Sequence, residues 1–200
     1  MRQDCLINII SKGVTLVTEY KTVNPIAIRS KTWIVKALLE LMGEKLFKDI
    51  TIKEISERAD LVRRTFYRNF SSKEEILDYY LEQLNSEYIK LLSQEKDLSI
   101  YNVAKIYFEF WNNHIDFLKS LEKNNLLVFL LKKYDEYLPL IHKAFKGDHL
   151  NDYPKEYAEY YVSFNVGGFW NILLKWVSEE PKKDPDEMAE MISNIMKNDF

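Results

Sequence analysis

Two pairings, Thr51 with Glu54 and Ser72 with Glu75, constrain this chain more than any other feature of it. In a Ser/Thr-x-x-Glu box the hydroxyl accepts a backbone N–H of the coming helix and the glutamate bonds back to the cap, so each pair marks a helix start. Between them, Ile52, Ile55 and Ala59 recur at helical spacing, and Phe66 and Phe70 lie four apart. The spacing predicts a helix from Ile52 to Ala59, a turn at Asp60-Leu61-Val62 and a second helix from Arg63 to Asn69. Aspartate tolerates the left-handed backbone such a turn needs better than most residues.

The flanking segments are helical too. Ile34, Ala37, Leu38, Leu41 and Met42 form one apolar stripe on a helix from Arg29 to about Lys45. After Ser72, a long helix striped by Ile76, Leu77, Tyr80, Leu81, Leu84, Tyr88 and Leu91 links two domains. Beyond Lys96-Asp97, Val103 to Leu118 reads as one helix and Leu126 to Tyr134 as another. Pro139 and Gly147 bracket a short helix, and 148–154 reads as a loop. Tyr157 to Val177 follows as a strongly apolar helix, and Met188, Met191, Ile192, Ile195 and Met196 stripe the last one. With 46% apolar residues and only five Gly and five Pro, the fold class is all-α. The expected organisation is a poorly ordered extension over 1–27, a helix-turn-helix domain over 28–72 and a C-terminal helical regulatory and dimerisation domain over 73–200. A β-like arm and an upstream translation start with no structural role are the alternatives for the extension, and Arg29 and Lys31 just beyond it are candidates for phosphate contact.

Several function classes find no support. Cys5 is the only cysteine, and His114, His142 and His149 have no metal-ligand spacing, so no metal, disulfide or other cofactor is expected. The chain shows no GxSxG, Gly-rich phosphate loop or HExxH, which argues against an enzyme. Its start lacks the apolar run of a secretory signal, and Asn165, Asn171 and Lys175 interrupt the most hydrophobic stretch. A cytoplasmic protein without a membrane partner is expected.

The charge is segregated. Residues 25–90 hold 12 Lys/Arg against 11 Asp/Glu, a balance of +1, whereas 91–200 hold 13 against 18, a balance of −5. Residues 61–73 contain Arg63, Arg64, Arg68 and Lys73 and no acid. Two short helices joined by three residues, with basic and aromatic side chains outward on the second, can lay that helix in the major groove of double-stranded DNA. Arg63 and Arg64 can reach guanine edges or phosphate, Thr65 a phosphate or a thymine methyl, and Tyr67, Arg68 and Lys73 the phosphate oxygens. A basic amphipathic helix of this kind also serves as a plain solvated face.

The run Lys-Glu-Ile-Ser-Glu-Arg-Ala (residues 53–59), the following turn, Arg-Arg-Thr-Phe-Tyr-Arg-Asn-Phe (63–70) and Ser-Lys-Glu-Glu-Ile-Leu (72–77) resemble the N-terminal domain of the TetR family of transcriptional regulators. The resemblance implies Thr51 and Lys73 on phosphate, Tyr67 on phosphate near the groove, and Arg63, Arg64, Thr65, Arg68 and Asn69 on the recognition helix. Where the family commonly has Gly, Ser or Asn, and His, this chain has Asp60, Val62 and Asn69, so its operator sequence does not carry over. Val62 lacks a capping oxygen, and Asp60 is expected to supply the cap from one step back.

Tyr160 to Trp170, with Lys175-Trp176, is similar to the C-terminal region of a TetR subgroup found with dihydroxyacetone-kinase regulators. This resemblance implies a homodimer, in which the last two helices pair with their two-fold mates through Tyr161, Gly168, Phe169, Ile172, Met188, Ile192 and Ile195. Gly167-Gly168 would allow close helix approach between subunits or would ease packing within one. Tyr107, Trp111, His114, Phe129, Phe164 and Trp170 are candidates for an effector pocket and equally for plain core. The expected function is a dimeric repressor on a palindromic operator, released by a small-molecule effector or a co-regulator protein; a protein-interaction module on the same fold is the alternative.

Overall fold

The computed structural model describes residues 25–133, 155–179 and 182–197. Cys5, the extension up to residue 24, the short helix between Pro139 and Gly147 and the loop at 148–154 lie outside the described residues. Among those described the fold is all-α, without a strand.

Helix α1, Pro25–Glu44, leads into a single 3-10 turn at Phe47–Asp49, then α2, Ile52–Arg58, and α3, Arg63–Asn69. Pro25 opens α1: proline has no N–H to lose at the first helical position, and its φ is already helical. Helix α4, Lys73–Gln94, carries the chain out of the three-helix head. Ile34, Leu38 and Met42 of α1, Ile55 of α2 and Phe66 of α3 are fully buried together, and Phe70 closes the cluster. Burying one such aromatic ring contributes about 2–3 kcal/mol.

Both ends of α2 are sealed locally. Thr51 Oγ1 accepts the N–H of Glu54 while Glu54 Oε2 accepts the N–H of Thr51, which is the expected capping box. At the far end Asp60 sits in the left-handed region at φ 54, its N–H donating to Glu57 O and that of Leu61 to Ser56 O, a Schellman ending. Helix α3 begins differently. Its cap residue, Val62, contributes no side-chain hydrogen bond, and the cap expected from Asp60 does not form. The second box is shifted by one residue: Ser72 accepts from Glu75 N, but Glu75 Oε2 reaches Ser71 N and Oγ at 2.6 and 2.5 Å.

In the C-terminal region α4 turns Leu92, not the expected Leu91, into the core. The helix expected from Val103 to Leu118 breaks at His114 into α5, Ile100–Asn113, and α6, Ile115–Lys123. Asn112, Asn113 and His114 are weak helix formers in succession, and the break lets Phe117, Leu118 and Leu121 join Trp111 in one core. Residues 127–133 are also helical. Helix α7, Lys155–Ser178, and α8, Pro185–Lys197, complete the described chain; α8 lies along α5, and Trp176 Nε1 donates to Lys183 O at 2.7 Å to pin the corner between α7 and α8.

Candidate nucleic-acid interface

Helix α3 is anchored from below and open above. Phe66 and Phe70 face the head's core, with ring centroids 6.4 Å apart, while Arg63, Arg64, Tyr67 and Arg68 are exposed. Tyr67 is 59% exposed, with its ring edge-to-face against Phe66 at 5.5 Å. Thr65 and Asn69 are half-buried, and Asn69 Nδ2 donates to Thr65 O at 2.7 Å. That bond uses one of the two amide hydrogens of Asn69.

Charge pairing sets this helix apart. Arg58 on α2 is gripped in a fork by Glu44, with Nη1 and Nη2 at 2.7 and 2.9 Å from the two carboxylate oxygens, and Glu40 approaches at 3.5 Å. The hydrogen bonds between them lower the pKa of Glu44 and raise that of Arg58. Lys45 pairs with Glu54, and that ammonium, followed by the Thr51 hydroxyl and N–H, holds the Glu54 carboxyl down to about 2. Arg63, Arg64 and Arg68, by contrast, form no ion pair with any described residue. Arg58 and Lys45 are thus ion-paired within the head, and the three arginines of α3 are not paired with any described residue.

Two residues expected on phosphate are already occupied. Lys73 Nζ donates to Phe47 O, Lys48 O and Ile50 O at 2.6, 3.1 and 3.0 Å, and lies over the Phe47 ring. An ammonium has three donors, and all three point into the 3-10 turn. The Thr51 hydroxyl donates to Glu54 Oε2 at 2.7 Å, and the Glu54 carboxylate beside it disfavours an anion at that helix start. Sequence reasoning missed the role of Lys73 because the lysine and its acceptors are more than twenty residues apart. Lys31, near the expected phosphate track, lies over the Tyr79 ring at 4.6 Å and the Phe70 ring at 5.4 Å, and Arg29 lies over Trp33 at 5.0 Å.

The residues expected in one effector pocket are dispersed. Tyr107 and Trp111 line an apolar gap with Leu84, Tyr88 and Phe110, but the free space is only ≈ 10 Å³, enough for about one water. Trp170 is buried and Phe129 half-buried in the same core. His114 instead borders a cleft of ≈ 290 Å³ between the head and the C-terminal helices, with Leu39, Gly43, Tyr80 and Asp116. Phe164 is 73% exposed, on the outer face of α7.

The expected dimer face also divides. Met188 and Ile192 are buried in their own subunit, because α8 turns that stripe onto α5. Phe169 packs its ring on Tyr107 at 5.2 Å, and Ile172 is half-buried against the core. Tyr161, Gly168 and Ile195 remain on the surface, beside Tyr157, Tyr160 and Phe164. A Cβ added at Gly167 or Gly168 would meet nothing within 4 Å, so no described neighbour in the subunit requires either glycine. No described helix is long and apolar enough to cross a membrane.

Comparison with known proteins agrees with this architecture. A family model described as "Bacterial regulatory proteins, tetR family" matches residues 34–80, and one described as "Transcriptional regulator C-terminal region" matches residues 99–198. The chain is 24% identical over 179 residues to the uncharacterized HTH-type transcriptional regulator YxbF of Bacillus subtilis (strain 168), a match covering 84% of this chain and 44% of that protein. It is 26% identical over 111 residues to the HTH-type dhaKLM operon transcriptional activator DhaS of Lactococcus lactis subsp. lactis (strain IL1403), covering 54% of this chain and 53% of the relative. The chain thus spans about half the length of the curated relatives it matches. A solved structure of the dihydroxyacetone kinase operon activator DhaS shares the fold, with a TM-score of 0.59 at 18% identity over 84% of this chain and 94% of that one. With matched models running through both the head and the C-terminal region, the chain belongs to the tetR family of bacterial regulatory proteins.

Proposed function

We propose that the protein is a DNA-binding transcriptional regulator that acts as a homodimer, with α3 of each subunit in the major groove of a palindromic operator. The observation that carries this reading is the set of three unpaired arginines on α3, on a head that pairs Arg58 and Lys45 internally. Arg63 and Arg64 lead into the groove, Tyr67 and Arg68 take phosphate, and Thr65 and Asn69 stand at the groove's edge. Two such helices in a two-fold dimer would sit about 34 Å or somewhat more apart, one helical turn of DNA.

The second copy is placed against α7. Glycine in a helix interior costs about 1 kcal/mol relative to alanine, and here two adjacent glycines have no described neighbour that explains them. Exposed Tyr157, Tyr160, Tyr161 and Phe164 continue the same side of α7 toward its start. A partner helix lying across Gly168 would cover these rings and use the close approach that glycine permits. The protein is cytoplasmic in this reading, and it needs no cofactor.

Repression follows if the dimer occludes a promoter. Activation is the second reading, favoured by the activator name carried by the relative DhaS. Control enters through the C-terminal domain, by a small molecule or by a co-regulator protein; the tight packing around Tyr107 and Trp111 favours the protein.

Selection of bound fragments from random DNA at fixed, near-physiological salt tests the reading. The folded wild type should enrich a palindrome that an Arg64→Ala/Tyr67→Phe variant does not. Folded dimer that enriches nothing would transfer the assignment to a protein-interaction module, and the sign of a reporter fused to the enriched site would separate repressor from activator.

A further inference from the structure

Val62 occupies the leading position of α3, yet its side chain does nothing for the helix. The backbone there is extended, at φ −74 and ψ 146, and the carbonyl accepts Thr65 N at 2.8 Å and Phe66 N at 3.4 Å. The side chain makes no cap bond, and Asp60 does not compensate. Serine, threonine, asparagine or aspartate at this position would stabilise the helix start, so valine gives up stability that the backbone geometry offers.

No described residue explains the exchange. The isopropyl group is 71% exposed, the most exposed aliphatic among the large hydrophobic side chains described; Val128 follows at 55%. It stands immediately before Arg63 and Arg64, on the helix that the proposed function lays in the groove. An apolar, β-branched group is stiff at χ1 and loses little entropy on contact. In the major groove one apolar partner matches it, the C5-methyl of thymine, which no other standard base presents.

We infer that Val62 is a specificity residue that packs on the methyl of a thymine, fixing a T·A pair at one symmetric position in each half-site. This rests on the DNA-binding reading above, and it deepens that reading by naming a base and the atom recognised. Thr65 carries a methyl as well, but it is half-buried one turn further in.

The test begins from the enriched site and replaces its thymines one at a time by deoxyuridine, which removes only the methyl. Affinity is measured for wild type, Val62→Ala and Val62→Ser. At one position per half-site, wild type should bind uracil about fourfold more weakly, the transfer free energy of one methyl-sized group. Val62→Ala and Val62→Ser should bind thymine and uracil there equally, with Val62→Ser at least as stable to heat as wild type because it regains a cap. If every uracil penalty persists in Val62→Ala, the inference is overturned while the DNA-binding reading stands. If the wild type enriches no site, both are overturned.

Discussion

The side-chain oxygen of Asn124 accepts the backbone N–H of Phe47 at 2.5 Å, across 77 positions of the sequence. Asn124 caps α6, its Nδ2 donates back to Ser120 O at 2.7 Å, and Asn125 beside it takes the left-handed backbone at φ 57. The bond ties the head to the C-terminal domain at the 3-10 turn. Asn124→Ala leaves a half-buried N–H without its acceptor and should destabilise the protein by about 2 kcal/mol. Urea unfolding would show this as a lower midpoint; an unchanged midpoint would mean that the turn is held by other contacts.

Lys73 should matter for stability and not for salt dependence. Lys73→Met keeps the stem and removes three bonds from a charged donor, with an expected loss of about 2 kcal/mol. Its log affinity for operator DNA against log salt should keep the wild-type slope. Arg68→Ala should lower that slope by about 0.9 per subunit, the signature of one lost phosphate contact. A slope change of equal size in Lys73→Met would return the lysine to the phosphate track.

Acid sensitivity should trace to the start of α2. Glu54 is held down to about 2 in the folded protein against an ordinary 4.5, first by Lys45 and then by Thr51. A group lowered on folding contributes stability that is fully present above its unfolded value and disappears as pH falls through the folded one. Glu44 and Glu75 are shifted the same way, by Arg58 and by Ser71. Glu54→Gln should therefore flatten the stability curve between pH 4.5 and about 2, relative to wild type, and lower stability near neutrality, where the contribution of Glu54 is fully present. Parallel curves for the two proteins would show that Glu54 titrates alike in both states.

The dimer reading separates association from folding. Gly168→Leu should make α7 intrinsically more helical, by up to about 1 kcal/mol, because it removes a helix-interior glycine. It should nevertheless shift sedimentation equilibrium from dimer to monomer, as should Phe164→Glu on the exposed face. A dimer that survives both substitutions lies elsewhere on the molecule.

What could be read from sequence was local. The Thr51/Glu54 box and the bounds of α3 follow from contacts three or four residues apart, which spacing reveals directly. The α8 stripe shows the limit: periodicity established that Met188 and Ile192 are covered, but not that α5 of the same subunit covers them. Lys73 and Asn124 were opaque for a related reason. Their partners are backbone groups of a 3-10 turn, which have no sequence identity to match. Leu91 and Leu92 differ by one step of helical phase, and the packing partners that decide between them lie far away in the sequence.

Because Arg63, Arg64 and Arg68 hold no described residue in place, and because Phe66 and Phe70 hold α3 from beneath, the two faces of this helix are under separate constraints. Surface exchanges away from caps and cores typically alter stability by no more than about 0.5 kcal/mol. In the proposed reading, drift on the outer face would therefore change which promoters are recognised long before it threatens folding. A duplicated copy of this gene could diverge to a new regulon through a handful of neutral steps, with the inner face unchanged.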